Sequence, residues 1–175
     1  MNWNTTTIRE AERGSIRDFI AFAGEHGVFE QRMVLDVGCG QQPYRDVVEK
    51  AGGLYFGYDH PEFPTSVVQE AVGDQELLTR RWGAVMTTQV IQCQPQPEAF
   101  LRLLHSILEP GGALVITWSS CWDELEPEDH WRFTRTGGLE LLRRAGFARA
   151  IGQRRAEVEL GGFRFCLGHG AIAWK

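Results

Sequence analysis

Two carboxylates and two closely spaced glycines have the types and the spacing that could do chemistry in this chain. Asp36 closes an apolar, β-prone run and is followed by Gly38 and Gly40, ahead of a helix-like stretch at residues 43–51. Glycine has no Cβ, so the backbone can turn sharply there and a ligand can approach the bare main chain. Asp59 closes the next β-prone run, roughly 20 residues further on, where a carboxylate is placed to accept both hydroxyls of a ribose. The pattern predicts a nucleotide-type ligand at the ends of two strands.

Three further segments carry patterns of their own. Residues 83–91 (GAVMTTQVI) form an apolar run that becomes polar, residues 108–116 (LEPGGALVI) place Pro-Gly-Gly before an apolar run, and residues 130–134 are HWRFT. Together with VLDVGCG at residues 34–40 and the acidic end of the second strand at Asp59, they resemble the class I S-adenosylmethionine-dependent methyltransferases. The resemblance extends from about residue 33 to the C-terminus.

This resemblance implies a Rossmann-like α/β sandwich of three layers. The family's sheet has seven strands, mostly parallel, and its last strand, here residues 163–174, is antiparallel. The whole chain, residues 1–175, is expected to form one methyltransferase domain with an N-terminal helical cap at residues 1–32 and a Rossmann-like core at residues 33–175. In the family such a cap covers the cofactor.

The resemblance also implies roles for the residues around the glycine turn. Gly38, Cys39 and Gly40 would let the backbone meet the methionine moiety and the ribose of S-adenosylmethionine. Asp36 would accept hydrogen bonds from backbone amides or from the methionine ammonium, and Asp59 would hold the ribose hydroxyls. Cys39 has no basic partner nearby in the sequence, so we interpret it as a packing residue rather than a nucleophile.

Four more residues are predicted to complete the cofactor site. His60 would border the adenine ring, and Asp74 would approach its exocyclic amine, although a Gly-Asp pair is also common in ordinary turns. Thr88 and Gln89 would face the methionine half and the passage to the acceptor. The family's third glycine is replaced by Gln42.

An acidic and aromatic loop at residues 119–131 is the predicted acceptor side of the site. His130, beside carboxylates, is a candidate general base for an acceptor that must lose a proton. The alternative is that His130 caps or anchors the loop. Three tryptophans are open to two interpretations as well, as walls of an acceptor pocket or as core residues: Trp118, Trp122 and Trp131. Tyr44 is another candidate for the edge of the pocket.

Composition narrows the possible partners. The net charge is −5 and there is no long run of like charges, which argues against a general nucleic-acid binder. Five arginines near the C-terminus form either a local basic patch or a solvated surface: Arg143, Arg144, Arg149, Arg154 and Arg155. The four cysteines form no Cys-x-x-Cys pair, so no zinc site is predicted. The sequence lacks an apolar leader or membrane-length apolar window, which favours a cytoplasmic location and no membrane partner.

The remaining elements follow from apolar spacing. Residues 8–24 are expected to form one or two helices, residues 97–108 another, and residues 136–144 a helix that is capped by Thr136. Two final strands should flank a turn at Gly161 and Gly162.

Three functions of different classes remain open. The first is a methyltransferase that acts on a small-molecule acceptor at O, N or C and releases S-adenosylhomocysteine, with RNA or protein as alternative acceptors. The second is a catalytically silent methyltransferase-like subunit that binds the cofactor and acts through a partner. The third, a nicotinamide-dependent oxidoreductase, is disfavoured by Gln42-Pro43 after the glycine turn and by the later Pro-Gly-Gly segment. The oligomeric state is left open.

Overall fold

The structure is a computed structural model that describes residues 5–59, 73–121, 129–160 and 162–175. Helices and strands alternate along these residues, as the apolar spacing predicts. The helices are α1 (Thr5–Glu25), α2 (Arg45–Lys50), α3 (Asp74–Thr79), α4 (Pro97–Ile107) and α5 (Arg135–Arg144). The strands are β1 (Met33–Val37), β2 (Leu54–Tyr58), β3 (Trp82–Thr88), β4 (Leu108–Ser119), β5 (Arg149–Leu160) and β6 (Phe163–Trp174).

The strands form one mixed sheet in the order β2-β1-β3-β4-β6-β5. The first four strands of this order run parallel, whereas β6 pairs antiparallel with both β4 and β5. The α/β class and the antiparallel last strand are therefore confirmed. Because the carboxyl ends of parallel strands meet at one edge of a sheet, Asp36 and the residue after β2, Asp59, are brought to the same edge.

The predicted number of strands, seven, was wrong by one for the part of the chain that the structure describes. In the described residues β2 is followed by α3 and then by β3, so β2 is the outermost strand on its side of the sheet. Residues 60–72, between β2 and α3, lie outside the described residues.

Helices cover both faces of the sheet, which explains why its central strands are apolar throughout instead of alternating. On one face, Val34 of β1 and Met86 of β3 pack with α1 and α2. On the other face, Leu35 of β1 and Val85 of β3 pack with α4 and α5. The three-layer arrangement follows from this division of the core.

The N-terminal region forms a single helix, α1. Its buried stripe consists of Ile16, Phe19, Ile20 and Ala23, whose spacing of three and four residues places them on one helical face. The helix ends at Glu25, shortly before Gly27, which adopts a left-handed backbone. None of the helices in the described residues has the length and apolarity that crossing a membrane would require.

The start of α5 differs from the prediction. The N-cap is Thr134, whose hydroxyl accepts a hydrogen bond from the backbone N–H of Gly137 over 3.0 Å. Thr136 lies inside the first turn, so its side chain is not three residues ahead of an unsatisfied amide as a cap must be. Strand β5 ends at Leu160 and β6 begins at Phe163, with Gly162 in a turn just before β6, while Gly161 lies outside the described residues.

Candidate functional site

The glycine turn after β1 is held against the end of β2. The backbone N–H groups of Gly38 and Cys39 both donate to the carbonyl of Tyr58, over 2.8 and 3.1 Å. Gly38 and Gly40 have left-handed backbones, with φ of +79° and +50°. A Cβ on Gly38 would lie 2.3 Å from Cγ2 of Val90, whereas a Cβ on Gly40 would meet nothing within 4 Å. Gly40 is therefore the position where the main chain is open to a ligand.

Asp59 lies directly beside this open position. Its Oδ2 accepts a hydrogen bond from the backbone N–H of Gly40 over 2.5 Å. The structure thus brings together the second predicted carboxylate and the glycine turn, two features separated in the sequence by the whole of α2 and β2. A carboxylate at this place is positioned to accept ribose hydroxyls from a ligand that lies along the turn.

Asp36 is the buried carboxylate near the end of β1. Its side chain is buried, and its Oδ2 accepts a hydrogen bond from the hydroxyl of Tyr55 over 2.6 Å. Its Oδ1 is also buried and accepts a hydrogen bond from no described residue. Burial raises the pKa of this carboxyl to about 7, and the nearby charge of Asp59 adds to the rise, while Tyr55 opposes it. An unpartnered buried acceptor oxygen fits a cationic donor such as an ammonium group.

Tyr55 was missed by the sequence analysis. It lies in β2, and its ring is fully buried on the face of the sheet that carries Asp36. The phenol of Tyr55 is a donor to Oδ2 of Asp36 that the sequence analysis does not name, while the predicted ligand ammonium stays a prediction for Oδ1. No local motif indicates this pair, because it depends on the register between β1 and β2.

Cys39 is buried in the turn. Burial raises the pKa of its thiol to about 12, and the charges of Asp36 and Asp59 add to this effect. A thiol in this environment stays protonated at neutral pH, which agrees with a packing role rather than a nucleophilic one.

Asp74 and Tyr58 are joined at the end of β2. The hydroxyl of Tyr58 donates to Oδ1 of Asp74 over 2.9 Å, and Asp74 is the first residue of α3. Asp74 therefore lies near Asp59, which directly follows Tyr58 in the chain. His60, predicted to border the adenine ring, lies outside the described residues.

Thr88 and Gln89 lie at the carboxyl end of β3, as predicted. Thr88 is half-buried and pairs in register with Thr117 of β4. Gln89 has a left-handed backbone with φ of +58°, an unusual conformation for a residue other than glycine and a type of strain that is concentrated at functional sites.

The side chain of Gln89 takes part in a polar network between β3 and β4. Its Oε1 accepts from the hydroxyl of Ser119 over 2.6 Å and from Nε2 of Gln92 over 3.0 Å. Its Nε2 donates to the hydroxyl of Thr117 over 3.3 Å. The amide of Gln89 is thus held by the protein, and the network fixes the position of the strand ends beside the glycine turn.

His130 lies near the end of the predicted acceptor loop, of which residues 122–128, including Trp122, lie outside the described residues. The backbone N–H groups of His130 and Trp131 both donate to the carbonyl of Gln92, over 2.9 and 3.1 Å. The imidazole itself is exposed. Arg132 donates two hydrogen bonds, of 2.5 and 2.6 Å, to the buried carboxylate of Asp129. These contacts anchor the segment that leaves the loop.

The two described tryptophans near the loop have different environments. Trp118 is buried in the core, where a Cβ on Gly138 would lie only 2.3 Å from its ring. Trp131 is 42% exposed, stacks on Phe133 with ring centroids 6.1 Å apart, and borders a groove of about 440 Å³ against α4. Trp118 is therefore a core residue.

Four of the five C-terminal arginines lie on the surface, and Arg155 does not. Arg143 and Arg144 pair with Glu140, and Arg154 pairs with Glu157. Arg155 is only 4% exposed, and its Nε donates to the carbonyl of His169 over 3.0 Å. The predicted solvated surface describes the four exposed arginines. Arg155 is instead buried and hydrogen-bonded in the interior.

Helix α1 contacts the segment after the glycine turn. Nη1 of Arg17 donates to the carbonyl of Pro43 over 3.2 Å, and the other end of the guanidinium pairs with Asp46. Tyr44, a predicted pocket residue, is buried beneath α1. The segment after the glycine turn and the N-terminal helix are therefore one connected structure.

Comparison with known proteins agrees with this geometry. A sequence model of the methyltransferase domain matches residues 8–154, and the chain belongs to this family. A search of curated proteins found no match. Many solved structures share the fold.

Three of these structures illustrate the similarity. A Haloferax volcanii protein solved in complex with the Trm112 methyltransferase activator is 16% identical, with a TM-score of 0.72 over 97% of this chain and 91% of its own. Magnesium protoporphyrin IX methyltransferase from Synechocystis, solved with S-adenosylmethionine, is 17% identical, with a TM-score of 0.69 over 100% of this chain and 85% of its own. The 1,6-didemethyltoxoflavin-N1-methyltransferase of Burkholderia thailandensis, solved with its substrate and S-adenosylhomocysteine, is 20% identical, with a TM-score of 0.70 over 92% and 78%.

The chain is thus a class I S-adenosylmethionine-dependent methyltransferase, and S-adenosylmethionine is its cofactor. The site described above fits that cofactor. Gly40 leaves the main chain open, Asp59 lies beside it, and the buried Oδ1 of Asp36 lacks the donor that a methionine ammonium would supply.

Proposed function

We propose that this methyltransferase acts on a small-molecule acceptor and that its cofactor is held as the sequence predicts. The observation that carries the cofactor site is the pairing of the open Gly40 backbone with Asp59, together with the unpartnered oxygen of Asp36 on the neighbouring strand. A small acceptor is supported by the net charge of −5, which disfavours a polyanion, and by the small-molecule substrates named for the Synechocystis and Burkholderia methyltransferases.

Each residue of the site would bind one part of the cofactor. Asp59 accepts the ribose hydroxyls, Asp36 accepts from the methionine ammonium, and Gly38, Cys39 and Gly40 present their main chain. The adenine ring extends toward His60 and Asp74. Thr88 and Gln89 border the methionine half and the passage to the acceptor.

The bound cofactor supplies a sulfonium-activated methyl group, so the protein has mainly to bind and orient two molecules and to exclude water. Orientation of this kind can contribute on the order of 7–11 kcal/mol to a bimolecular reaction. The network of Gln89, Gln92 and Ser119 would fix the strand ends that provide this orientation. His130 stays a candidate base, although the hydrogen bond from its backbone N–H to Gln92 favours the anchoring role.

The first prediction tests the cofactor site. Replacing Asp59 with alanine is expected to weaken S-adenosylhomocysteine binding by about one to two powers of ten, because hydrogen bonds to a charged acceptor contribute roughly 1.5–3 kcal/mol. The fold should persist, since Asp59 follows the strand. Calorimetric titration measures the affinity. The control is Glu109→Ala, an exposed carboxylate near the opposite end of the sheet, which should bind like wild type. Equal affinities for Asp59→Ala and wild type would remove Asp59 from the site.

A second candidate function is suggested by the Haloferax volcanii structure, which is a complex with the Trm112 methyltransferase activator. The chain could likewise require a partner, or act on RNA or protein. Mass spectrometry of products from a metabolite extract incubated with the isolated chain and isotopically labelled S-adenosylmethionine distinguishes the two. A labelled small molecule supports the first proposal, whereas binding of S-adenosylhomocysteine without any labelled product supports the partner-dependent one.

A further inference from the structure

A carboxylate interrupts the apolar stripe of α1. Ile16, Phe19 and Ala23 are buried against the sheet, and the position one turn before Ile16 on the same helical face is Glu12. An apolar residue would be expected at this position if the stripe only served packing. Helix α1 therefore carries an acidic group toward the interior just beyond its packed section.

The Glu12 carboxylate lies in a crowded, partly buried environment. Its Oε1 is buried and accepts a hydrogen bond from no described residue. Burial raises the pKa of this carboxyl, and the charges of Arg155, Arg13 and Arg132 oppose the rise. Burial raises the pKa of the Tyr44 hydroxyl, and the charge of Glu12 adds to the rise. A buried acceptor oxygen without a donor is unfavourable, so the geometry indicates a missing hydrogen-bond donor.

Hydrogen bonds place Glu12 at the edge of the sheet that carries the cofactor site. The Ser15 hydroxyl donates to the carbonyl of Glu12 over 2.7 Å and accepts from Nη1 of Arg155, and Nη2 of Arg155 donates to the carbonyl of Trp118 in β4. Tyr44 belongs to the segment that follows the glycine turn. Arg155 is opposite Gly168, which pairs with Ser119 at the carboxyl end of β4. Arg132 belongs to the segment that leaves the predicted acceptor loop. Glu12 therefore lies near the end of β4, within electrostatic range of the turn after β1 and of the acceptor segment.

A simple ion pair with Arg155 does not account for Glu12. No hydrogen bond or ion pair within 4.0 Å joins the described Glu12 and Arg155 side chains. The guanidinium nitrogens of Arg155 donate to other acceptors: Nε to the carbonyl of His169, Nη1 to the hydroxyl of Ser15 and Nη2 to the carbonyl of Trp118. Arg132 is likewise engaged with Asp129. The positive charges of the arginines stabilise the ionised form of Glu12, but they give its buried Oε1 no hydrogen bond.

We propose that Glu12 contacts the methyl acceptor, that the acceptor is a protic nucleophile, a hydroxyl or an amine, and that Glu12 is the base that takes its proton. This inference rests on methyl transfer as the proposed function. The acceptor O–H or N–H donates to Oε1 in the bound complex, which supplies the donor that the ligand-free site lacks.

The transfer balances without any further reactant. The lone pair of the acceptor O or N forms the bond to the methyl carbon, and the S–CH₃ bond breaks with its electron pair left on sulfur. The acceptor proton passes to the Glu12 carboxylate. The protonated Glu12 then returns this proton to solvent after the products leave.

The test compares Glu12→Gln with Glu10→Gln, an exposed glutamate on the same helix. The substrates are phenyl, naphthyl and indolyl compounds, each as a hydroxyl, an amine and a carboxylic acid, with methyl-labelled S-adenosylmethionine. We expect wild type to methylate hydroxyls or amines, and Glu12→Gln to lower kcat about a hundredfold or more while the Kd for S-adenosylhomocysteine is unchanged. The rise of the wild-type rate with pH, as the carboxyl loses its proton, should be absent in Glu12→Gln. Glu10→Gln should behave as wild type.

Several outcomes would overturn the proposal. They are a wild-type rate in Glu12→Gln, methylation of the carboxylic acids only, and no transfer to any compound by a wild-type protein that binds S-adenosylhomocysteine. A hundredfold loss in His130→Gln together with a wild-type rate in Glu12→Gln would assign the base to His130. If Glu12→Gln does not fold, Glu12→Asp, which keeps the charge and shortens its reach, must lower kcat without changing the Kd. Failure of wild type to bind S-adenosylhomocysteine would instead contradict the cofactor site itself.

Discussion

At the scale of single residues, two carboxylates near Tyr44 each have one oxygen without a hydrogen-bond donor in the described part of the chain. Asp36 on β1 and Glu12 on α1 each have one buried oxygen that accepts no hydrogen bond from the described residues. Both carboxyls interact electrostatically with the Tyr44 phenol. Burial raises the pKa of each, so the ligand-free protein holds these groups at some cost in stability. Ligands with positive or proton-donating groups would relieve that cost.

Asp36 gives a pH-dependent prediction. Its pKa in the folded protein, about 7, is higher than the value of 3.8 expected in the unfolded chain. The folded state thus binds the proton more tightly, and stability from this group falls as pH rises from about 4 to about 7, then stays level. Asp36→Asn, which keeps an acceptor for Tyr55 and removes the charge, should gain stability relative to wild type over that range.

Urea unfolding at pH 5 and pH 8 without ligand measures this effect. The difference in free energy of unfolding between Asp36→Asn and wild type should be larger at pH 8. The same variant should bind S-adenosylhomocysteine more weakly, because the neutral amide lacks the charge that attracts an ammonium. A stability difference that is the same at both pH values would contradict the raised pKa.

At the scale of elements, the turns after β1 and β3 pack closely against each other at the edge of the sheet. The turn after β1 lies against Val90, which follows β3, so closely that Gly38 has no room for a Cβ. The requirement for glycine at this position thus comes from packing between two turns as well as from its left-handed backbone. Gly40, which is open on its outer side, is free of this restriction.

Replacing Gly38 with alanine should therefore destabilise the protein by about 1–3 kcal/mol, through overpacking and a strained backbone. A double-mutant cycle with Val90→Ala separates the two causes. The double variant should be more stable than the sum of the single effects predicts, by roughly 0.5–3 kcal/mol. Gly40→Ala, which meets no neighbour, should lose only the backbone contribution. Strictly additive effects would show that Val90 does not restrict Gly38.

The sequence predicts this level of organisation well because its signals are local. The apolar runs, the glycine turn and the Pro-Gly-Gly segment correctly predict strands β1, β3 and β4 and the edge where Asp36 and Asp59 meet. The cap of α5 was misplaced from Thr134 to Thr136 because both threonines precede a helical pattern. The network of Gln89 was not predictable, since it depends on which side chains two neighbouring strands place opposite each other.

At the scale of the whole molecule, helix α1 contacts both the C-terminal hairpin and the segment after the glycine turn. Arg155 of β5 binds Ser15 of α1 across 140 residues of sequence, and Arg17 of the same helix binds the segment after the glycine turn. No sequence motif indicates contacts of this range, which is why Glu12 and Arg155 were not among the predicted site residues. The position of α1 therefore depends on both the segment after the glycine turn and the C-terminal hairpin.

This arrangement gives a consequence for the hairpin of β5 and β6. Residues 168–174 of β6 pair with both β4 and β5, whereas residues 163–166 pair with β5 alone. The outer part carries Phe163, which is 71% exposed, and Ala156 with a left-handed backbone at φ of +47°. A two-stranded ribbon is only marginally stable in water, so this end should open locally without global unfolding.

Limited digestion with chymotrypsin at neutral pH should consequently cut first after Phe163 or Phe165. The nicked chain should keep its fold, because the cut lies outside the core clusters. Opening that spreads along the ribbon as far as Arg155 would release the guanidinium from Ser15 and so loosen α1 at the opposite terminus. The nicked protein should then show faster amide hydrogen exchange in the first turns of α1, although no peptide bond there has been broken.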